Sequence, residues 1–304
     1  MVNLVKQLAV ANTLGEGVIW NNNTGLLLWT DIQENQLYQW DGETEHPTII
    51  HLPHRLGAFG FTDQVDTVVA AFDCGFALLN IVTGAVQWLV QPNEIAPASG
   101  RRLNDGRVDR SGRFWCGSMV EDNSLCEESS ATLYCLDKDF SARTARDDIA
   151  ISNAICWSPD GSFMYFADSP KQTIWRYRFD QQSGQLADPI IFATTARGAY
   201  PDGAVTDAQG YLWNAQWGAA QVVRYAPDGS IDQIIKVPAS QPSCVAFGGT
   251  DMTQLFVTSA RENLDSQALA KDPQAGDLFV YQTDTQGIPE PLFNIKQLAS
   301  STVF

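Results

Sequence analysis

The stretch ISNAICWSPDGSFMYFADS, residues 151–169, followed by TIWRYRFD at residues 173–180, reads as strand, turn, strand, turn and strand. Aromatic and β-branched residues fill the strands, Pro159-Asp160-Gly161 supplies the tight turn, and no helical period interrupts the pattern. The same unit recurs on either side. PDGAVTDAQGYLWNAQW (201–217) with QVVRYAPDG (221–229), and GEGVIW (15–20) with LLLWTDI (26–32) and QLYQWDGE (36–43), align with it almost without gaps. NDGRVDRSGRFWCGSM (104–119) follows the same plan and continues with ATLYCLD (131–137) after the polar insertion EDNSLCEESS, residues 121–130. Two weaker copies are AFGFTDQVDTVVAAFDCGFALLN (58–80) and PSCVAFGGTDMTQLFVTS (242–259), the latter continuing with DLFVYQTD (277–284).

Six units start near residues 16, 58, 105, 153, 202 and 243. Several strands per unit, at a period of about 40 to 50 residues, predict an all-β, six-bladed β-propeller with a central metal-binding channel. The repeats span residues 1–304 as a single propeller domain and leave no room for a second. LVKQLAV (4–10) precedes the first unit and is expected to supply the outer strand of the last blade, closing the ring.

Bulk composition narrows the function classes. With 44% hydrophobic and 18% charged residues, the 304-residue chain has an ordinary globular balance. The net charge of -16 opposes binding to nucleic acid, which needs a basic footprint. No run approaches the roughly 20 apolar residues of a membrane span, and the apolar stretch at the N-terminus is too short for a signal peptide, so a cytoplasmic protein without a membrane partner is expected. The six cysteines are scattered and form no CxxC pair, which predicts mostly reduced, partly buried thiols.

In a propeller the first strand of each blade lines the axis, so equivalent positions of different units converge although they lie far apart in sequence. Reading down that column gives Glu16, Asp105, Asn153 and Asp202, each followed by Gly or Ala. The second and sixth units carry small residues there, with Ala58 and Cys244 nearby. Carboxylates gathered on an axis repel one another unless a cation or proton sits among them, and an oxygen-only set suits calcium, magnesium or manganese. His46, His51 and His54 all fall between the first and second units and are expected at the rim. Cys116 and Cys156 have no histidine partner and are read as small buried side chains. Trp115, Trp157, Trp217 and Tyr200 flank the channel positions, as packing or as stacking surfaces.

With LGEGVIW (14–20), RLNDGRVDRSGRFWCGSM (102–119), ISNAICWSPDGSFMYFADS (151–169) and YPDGAVTDAQGYLWNAQW (200–217) in family order, the chain resembles the gluconolactonase and regucalcin family over essentially its whole length. The resemblance implies metal ligands at Glu16, Asn153 and Asp202, with Asp202 also the general base. It further implies substrate contacts at Arg102, Asn104 and Glu121. One divalent cation is the implied cofactor, with calcium, magnesium, manganese, zinc and iron all admissible, and a sugar lactone is the implied small-molecule partner of a monomer or weak homo-oligomer. The implied activity is metal-dependent hydrolysis of an aldonolactone. Two other readings remain: a calcium-binding regulatory propeller without turnover, and an aryl-ester or phosphotriester hydrolase.

Overall fold

The computed structural model describes residues 2–295. β1 (Asn3–Leu8) is followed by a first blade of β2 (Gly15–Asn21), β3 (Leu26–Asp31), β4 (Gln36–Trp40) and β5 (Thr48–His51). The second blade is β6 (Leu56–Phe61), β7 (Thr67–Phe72), β8 (Gly75–Asn80) and β9 (Val86–Val90). The third is β10 (Arg101–Val108), β11 (Phe114–Val120), β12 (Ala131–Leu136) and β13 (Ala142–Ile149). The fourth is β14 (Ser152–Trp157), β15 (Phe163–Asp168), β16 (Thr173–Asp180) and β17 (Gln185–Thr194). The fifth is β18 (Tyr200–Thr206), β19 (Leu212–Trp217), β20 (Gln221–Tyr225) and β21 (Ile231–Lys236). The sixth is β22 (Pro242–Gly248), β23 (Gln254–Ser259) and β24 (Leu278–Gln282), completed by β1. The expected closure is present: β1 pairs antiparallel with β24, so the two ends of the ring share one sheet. One short helix, α1 (Ser266–Lys271), interrupts the last blade.

The six inner strands, β2, β6, β10, β14, β18 and β22, contact one another in a closed ring, and the chain is a six-bladed β-propeller. Its core is not one mass but a set of apolar wedges between neighbouring blades. Trp115, Trp157 and Phe179 meet edge to face between blades three and four, and Trp213 meets Phe247 between blades five and six. Fully burying a large apolar side chain contributes about 1.5–3 kcal/mol, so these wedges carry much of the ring's stability.

Two of the turns between inner and second strands, in blades three and five, hold more than a glycine. Asp109 accepts Arg113 N and Nε and Trp115 Nε1, while Asp207 accepts Tyr211 N, Trp213 Nε1 and Arg224 Nη2. In each Asp-x-x-Gly-x-x-Trp unit a buried carboxylate therefore has both backbone and side-chain donors, which is how buried charge becomes tolerable.

Every inner strand has a register shift near its start. Such bulges re-aim side chains, here toward the axis. After Glu16 and Asn153 the backbone passes through left-handed geometry, at Gly17 (φ 59°) and at Ala154 (φ 57°). A non-glycine residue in that region is strained, so the bend at Ala154 is held by its surroundings.

The far end of the channel is closed by the segment after β24. It bridges to Asp207 through Gly287, pairs Glu290 with Arg107, and runs alongside Thr62 at Phe293. The end lined by the starts of the inner strands stays open.

Candidate active site

A cavity of about 390 Å³ occupies the open end, walled by Glu16, Arg102, Asn104, Asn153, Asp202 and Glu262, with Leu14, Met119, Ile151, Pro170, Tyr200 and Trp217 around them. Five of the seven candidate residues of the sequence, all but Asp105 and Glu121, thus share one wall although they come from four different blades. Asp202 and Asn153 are 6% and 5% exposed, and Glu16 keeps somewhat more of its surface open to the cavity.

Each polar group is fixed by its neighbours. Ser169 Oγ accepts Asn153 Nδ2 at 2.8 Å and itself donates to Pro201 O, so the Asn153 amide cannot turn over and its Oδ1 faces Asn104 and the cavity. Asn104 Nδ2 donates to Ser152 O and to Asn153 Oδ1 at 3.0 and 3.2 Å, and Asn104 Oδ1 accepts Arg102 Nη1 at 2.7 Å. Arg102, 3% exposed, also donates through Nε to Glu121 at 3.1 Å. Arg55 grips Glu121 from the other side, Nη1 and Nη2 lying 2.7 and 2.9 Å from its two oxygens. A continuous hydrogen-bonded line therefore runs from Arg55 through Glu121, Arg102 and Asn104 to Asn153.

Glu121, expected at the substrate, is not on the cavity wall; it stands behind Arg102 and orients it. The insertion it begins lies along a neighbouring groove, where Asp122 and Leu125 are found. Of the four flanking aromatics, Tyr200 and Trp217 line the cavity, whereas Trp115 and Trp157 are packed between blades three and four. His46 and His51 are exposed, and all six cysteines are free.

Asp105 departs from the column. The bulge of β10 sets Asn104 and Asp105 together against Gly117, while that of β18 sets Asp202 and Gly203 against Ala215. In register, Asn104 and not Asp105 is the counterpart of Asp202. Asp105 Oδ2 instead accepts Ile155 N at 3.0 Å from the next inner strand, tying blade three to blade four beside the cluster. Arg55 and Glu262 escaped the sequence reading, because each sits in an irregular segment outside the repeat.

The electrostatics of the cluster are unusual. Burial first, and repulsion from Asp105 second, pushes the Glu16 carboxyl up to about 8. Asp202 rises well above the usual carboxylate range, from burial and then from the charges of Glu16 and Asp105. Burial also raises Asp105. Among the described residues, neither Glu16 nor Asp202 has an ion-pair partner. Two crowded carboxylates beside a fixed amide oxygen, with no protein cation among them, fit a hard divalent cation by donor type and by charge.

The fold and this cluster define a β-propeller with an oxygen-donor centre on its axis. The chain belongs to the SMP-30/gluconolactonase/LRE-like family, whose region matches residues 14–261. It is 39% identical to an L-arabinolactonase of Azospirillum brasilense over 284 residues, covering 93% of this chain and 92% of that one. It is 34% identical to a 6-deoxy-6-sulfogluconolactonase of Pseudomonas putida, over 93% and 95% of the two chains. Among solved structures, a calcium-binding protein, regucalcin, of Agrobacterium tumefaciens superposes with a TM-score of 0.89 at 32% identity, covering 95% of this chain and 97% of the other.

Proposed function

We propose that this protein is a divalent-metal-dependent lactonase that opens the ring of a sugar aldonolactone. The observation that carries the proposal is the unpaired Glu16–Asp202 carboxylate pair with Asn153 Oδ1, set in a cavity beside Arg102, in a chain related to two lactonases over more than 90% of its length. Glu16, Asn153 and Asp202 would hold the cation, which supplies Lewis acidity at the lactone carbonyl and neutralises the two carboxylates.

The remaining steps fall to the chain's own groups. Asp202 accepts a proton from the water that attacks the carbonyl carbon, and returns it to the ring oxygen as the acyl carbon–oxygen bond breaks. One new carbon–oxygen bond forms, one breaks, and the product is an open-chain hydroxy acid. Arg102 spends Nε on Glu121 and Nη1 on Leu103 O and Asn104, so Nη2 is left for a lactone oxygen. Tyr200 and Trp217 offer apolar faces to the carbons of the sugar ring.

Charge favours a neutral substrate. Among the described residues Arg102 is the only basic one on the cavity wall, and it is already paired with Glu121, while Glu262 adds a further acid. An uncharged pentono- or hexonolactone suits this wall better than a sulfonated or phosphorylated one. The test is a panel of aldonolactones and an aryl ester given to chelator-stripped protein with and without calcium, magnesium, manganese or zinc. The expected outcome is metal-restored opening of neutral aldonolactones well above their spontaneous rate; no acceleration with any metal would leave a binding propeller without turnover.

A further inference from the structure

A second cluster lies outside the channel, at the rim of blade two. His54, on the loop before β6, faces Asp73 and Cys74, which form the two-residue turn between β7 and β8. His54 Nδ1 is 3.8 Å from Asp73 Oδ1 and 3.9 Å from Cys74 Sγ, and one nitrogen, one oxygen and one sulfur thus lie within 4.8 Å of one another.

The repeat explains why Asp73 is free for this. Its counterparts by strand register are Asp31 and Asp168, which close the second strands of blades one and four. Asp31 accepts Thr13 N and Leu14 N at 2.8 and 3.0 Å, and Asp168 accepts Ala150 N and Ile151 N at 3.3 and 3.0 Å. Those carboxylates are consumed in tying down the loop that enters the inner strand. In blade two the residue corresponding to Thr13 and Ala150 is Pro53, which has no N–H to give. Asp73 Oδ2 binds Arg55 Nε at 3.2 Å, while Oδ1 is buried with no hydrogen-bond partner among the described residues. A buried acceptor without a donor is costly unless something else satisfies it.

From this geometry we infer that His54, Asp73 and Cys74 form a second cation site, selective for a thiophilic divalent ion such as zinc and separate from the channel centre. Imidazole and thiolate donors choose zinc or cobalt over calcium and magnesium, whereas the channel cluster offers oxygen alone. Zinc bonds of about 2.0–2.3 Å in a tetrahedron set ligand atoms roughly 3.3–3.7 Å apart, so the two His54 distances shorten by a few tenths of an ångström and the Asp73–Cys74 pair, within 4.8 Å, by about 1 Å at most. The half-exposed His54 ring can make the first of these movements, and the groove beside it leaves the fourth position to water. Support around the ligands is in place. Trp88 and Phe72 meet the His54 ring edge to face at 5.3 and 6.1 Å, Asp73 N donates to Arg55 O, and Arg55 holds the second oxygen of Asp73 with its own charge balanced by Glu121.

Cobalt(II) titration of the reduced protein reads this site alone, because a sulfur-to-cobalt charge-transfer absorption requires a thiolate ligand and the channel centre has none. The wild type is expected to develop that absorption to the amplitude of one thiolate-bound cobalt per chain, whatever cobalt the channel centre also takes up. Cys74→Ser should abolish it, His54→Ala should weaken the binding it reports by at least about 10-fold, and Cys126→Ser should leave it unchanged. Thermal unfolding of each variant, expected within a few degrees of wild type, separates loss of the site from loss of the fold. Absence of the absorption in the wild type, its persistence in Cys74→Ser, or wild-type affinity in folded His54→Ala would each overturn the site. None of these readouts depends on lactone turnover, so the result stands apart from the fate of the lactonase proposal.

Discussion

The two ends of the channel are built from the same six strands and treat buried charge in opposite ways. At the closed end every buried charge named above has an opposite partner: Arg107 with Glu290 at 2.8 Å, Asp109 with Arg113 at 2.7 Å, and Asp207 with Arg224 at 2.8 Å. At the open end Glu16 and Asp202 lie together, Glu16 pushed up by burial and then by Asp105, Asp202 by burial and then by Glu16 and Asp105, while Arg102 is turned toward Glu121. Protein interiors do not keep unmatched charge without a reason, since removing a charge from water costs several kcal/mol unless it is compensated. The closed end is complete as folded. The open end leaves its two carboxylates to be neutralised by a proton or, under the proposed function, by a divalent cation, and that asymmetry separates the two ends.

The comparison breaks most visibly at Asp202. Asp202→Asn keeps the shape but removes the proton acceptor, and kcat should fall by about 10²–10⁴-fold. The same change relieves repulsion, so the melting temperature of the metal-free protein should hold or rise by a few degrees. Activity assays and thermal unfolding together check this, and a variant that melts early would place Asp202 with the structural charges instead. The closed end predicts the converse. Glu290→Ala leaves Arg107 buried without its partner and should cost about 3–5 kcal/mol of stability, with the KM for lactone changed less than about twofold; chemical denaturation alongside kinetics separates the two.

A smaller effect is expected at Glu121. Burial works against its charged form, yet the Arg55 hydrogen bond and the charges of Arg102 and Arg55 hold its carboxyl below the ordinary 4.5. A depressed carboxyl contributes at pH values above its ordinary range, and the contribution is lost as the pH falls through the lowered value. The alignment of Arg102 should therefore persist across neutral pH and fail only in acid, as a rise in KM. Glu121→Gln should raise KM about 2–10-fold at neutral pH and flatten that acid rise, with kcat moved less than KM. An unchanged KM would mean that Arg102 needs no brace.

The repeats made the architecture readable before any coordinates, because a blade cannot bury its faces alone and each copy must keep strand length, turn chemistry and interblade aromatics. Even the closure by residues 4–10 followed, since an incomplete sixth blade needs an outer strand, and β1 supplies it. The gathering of Glu16, Asn153 and Asp202 was legible for the same reason. Asp105 was not, because a bulge separates sequence offset from register: Asn104-Asp105-Gly106 matches Asp202-Gly203 by eye, but the bulge of β10 places Asn104 at the wall. Arg55 and Glu262 lie in connections, where no period constrains position, and the role of Glu121 depends on a side chain reaching across to a neighbouring strand. Long-range hydrogen bonds of that kind leave no mark on local sequence pattern.

The most direct test of the central claim is a crystal of the protein soaked in manganese(II), with anomalous differences used to locate the ion. One peak is expected on the propeller axis, about 2.0–2.6 Å from a carboxylate oxygen of Glu16, Asn153 Oδ1 and a carboxylate oxygen of Asp202, and absent from Asp202→Ala crystals. Full occupancy elsewhere with none among these three residues, or an unchanged peak in the variant, would contradict it.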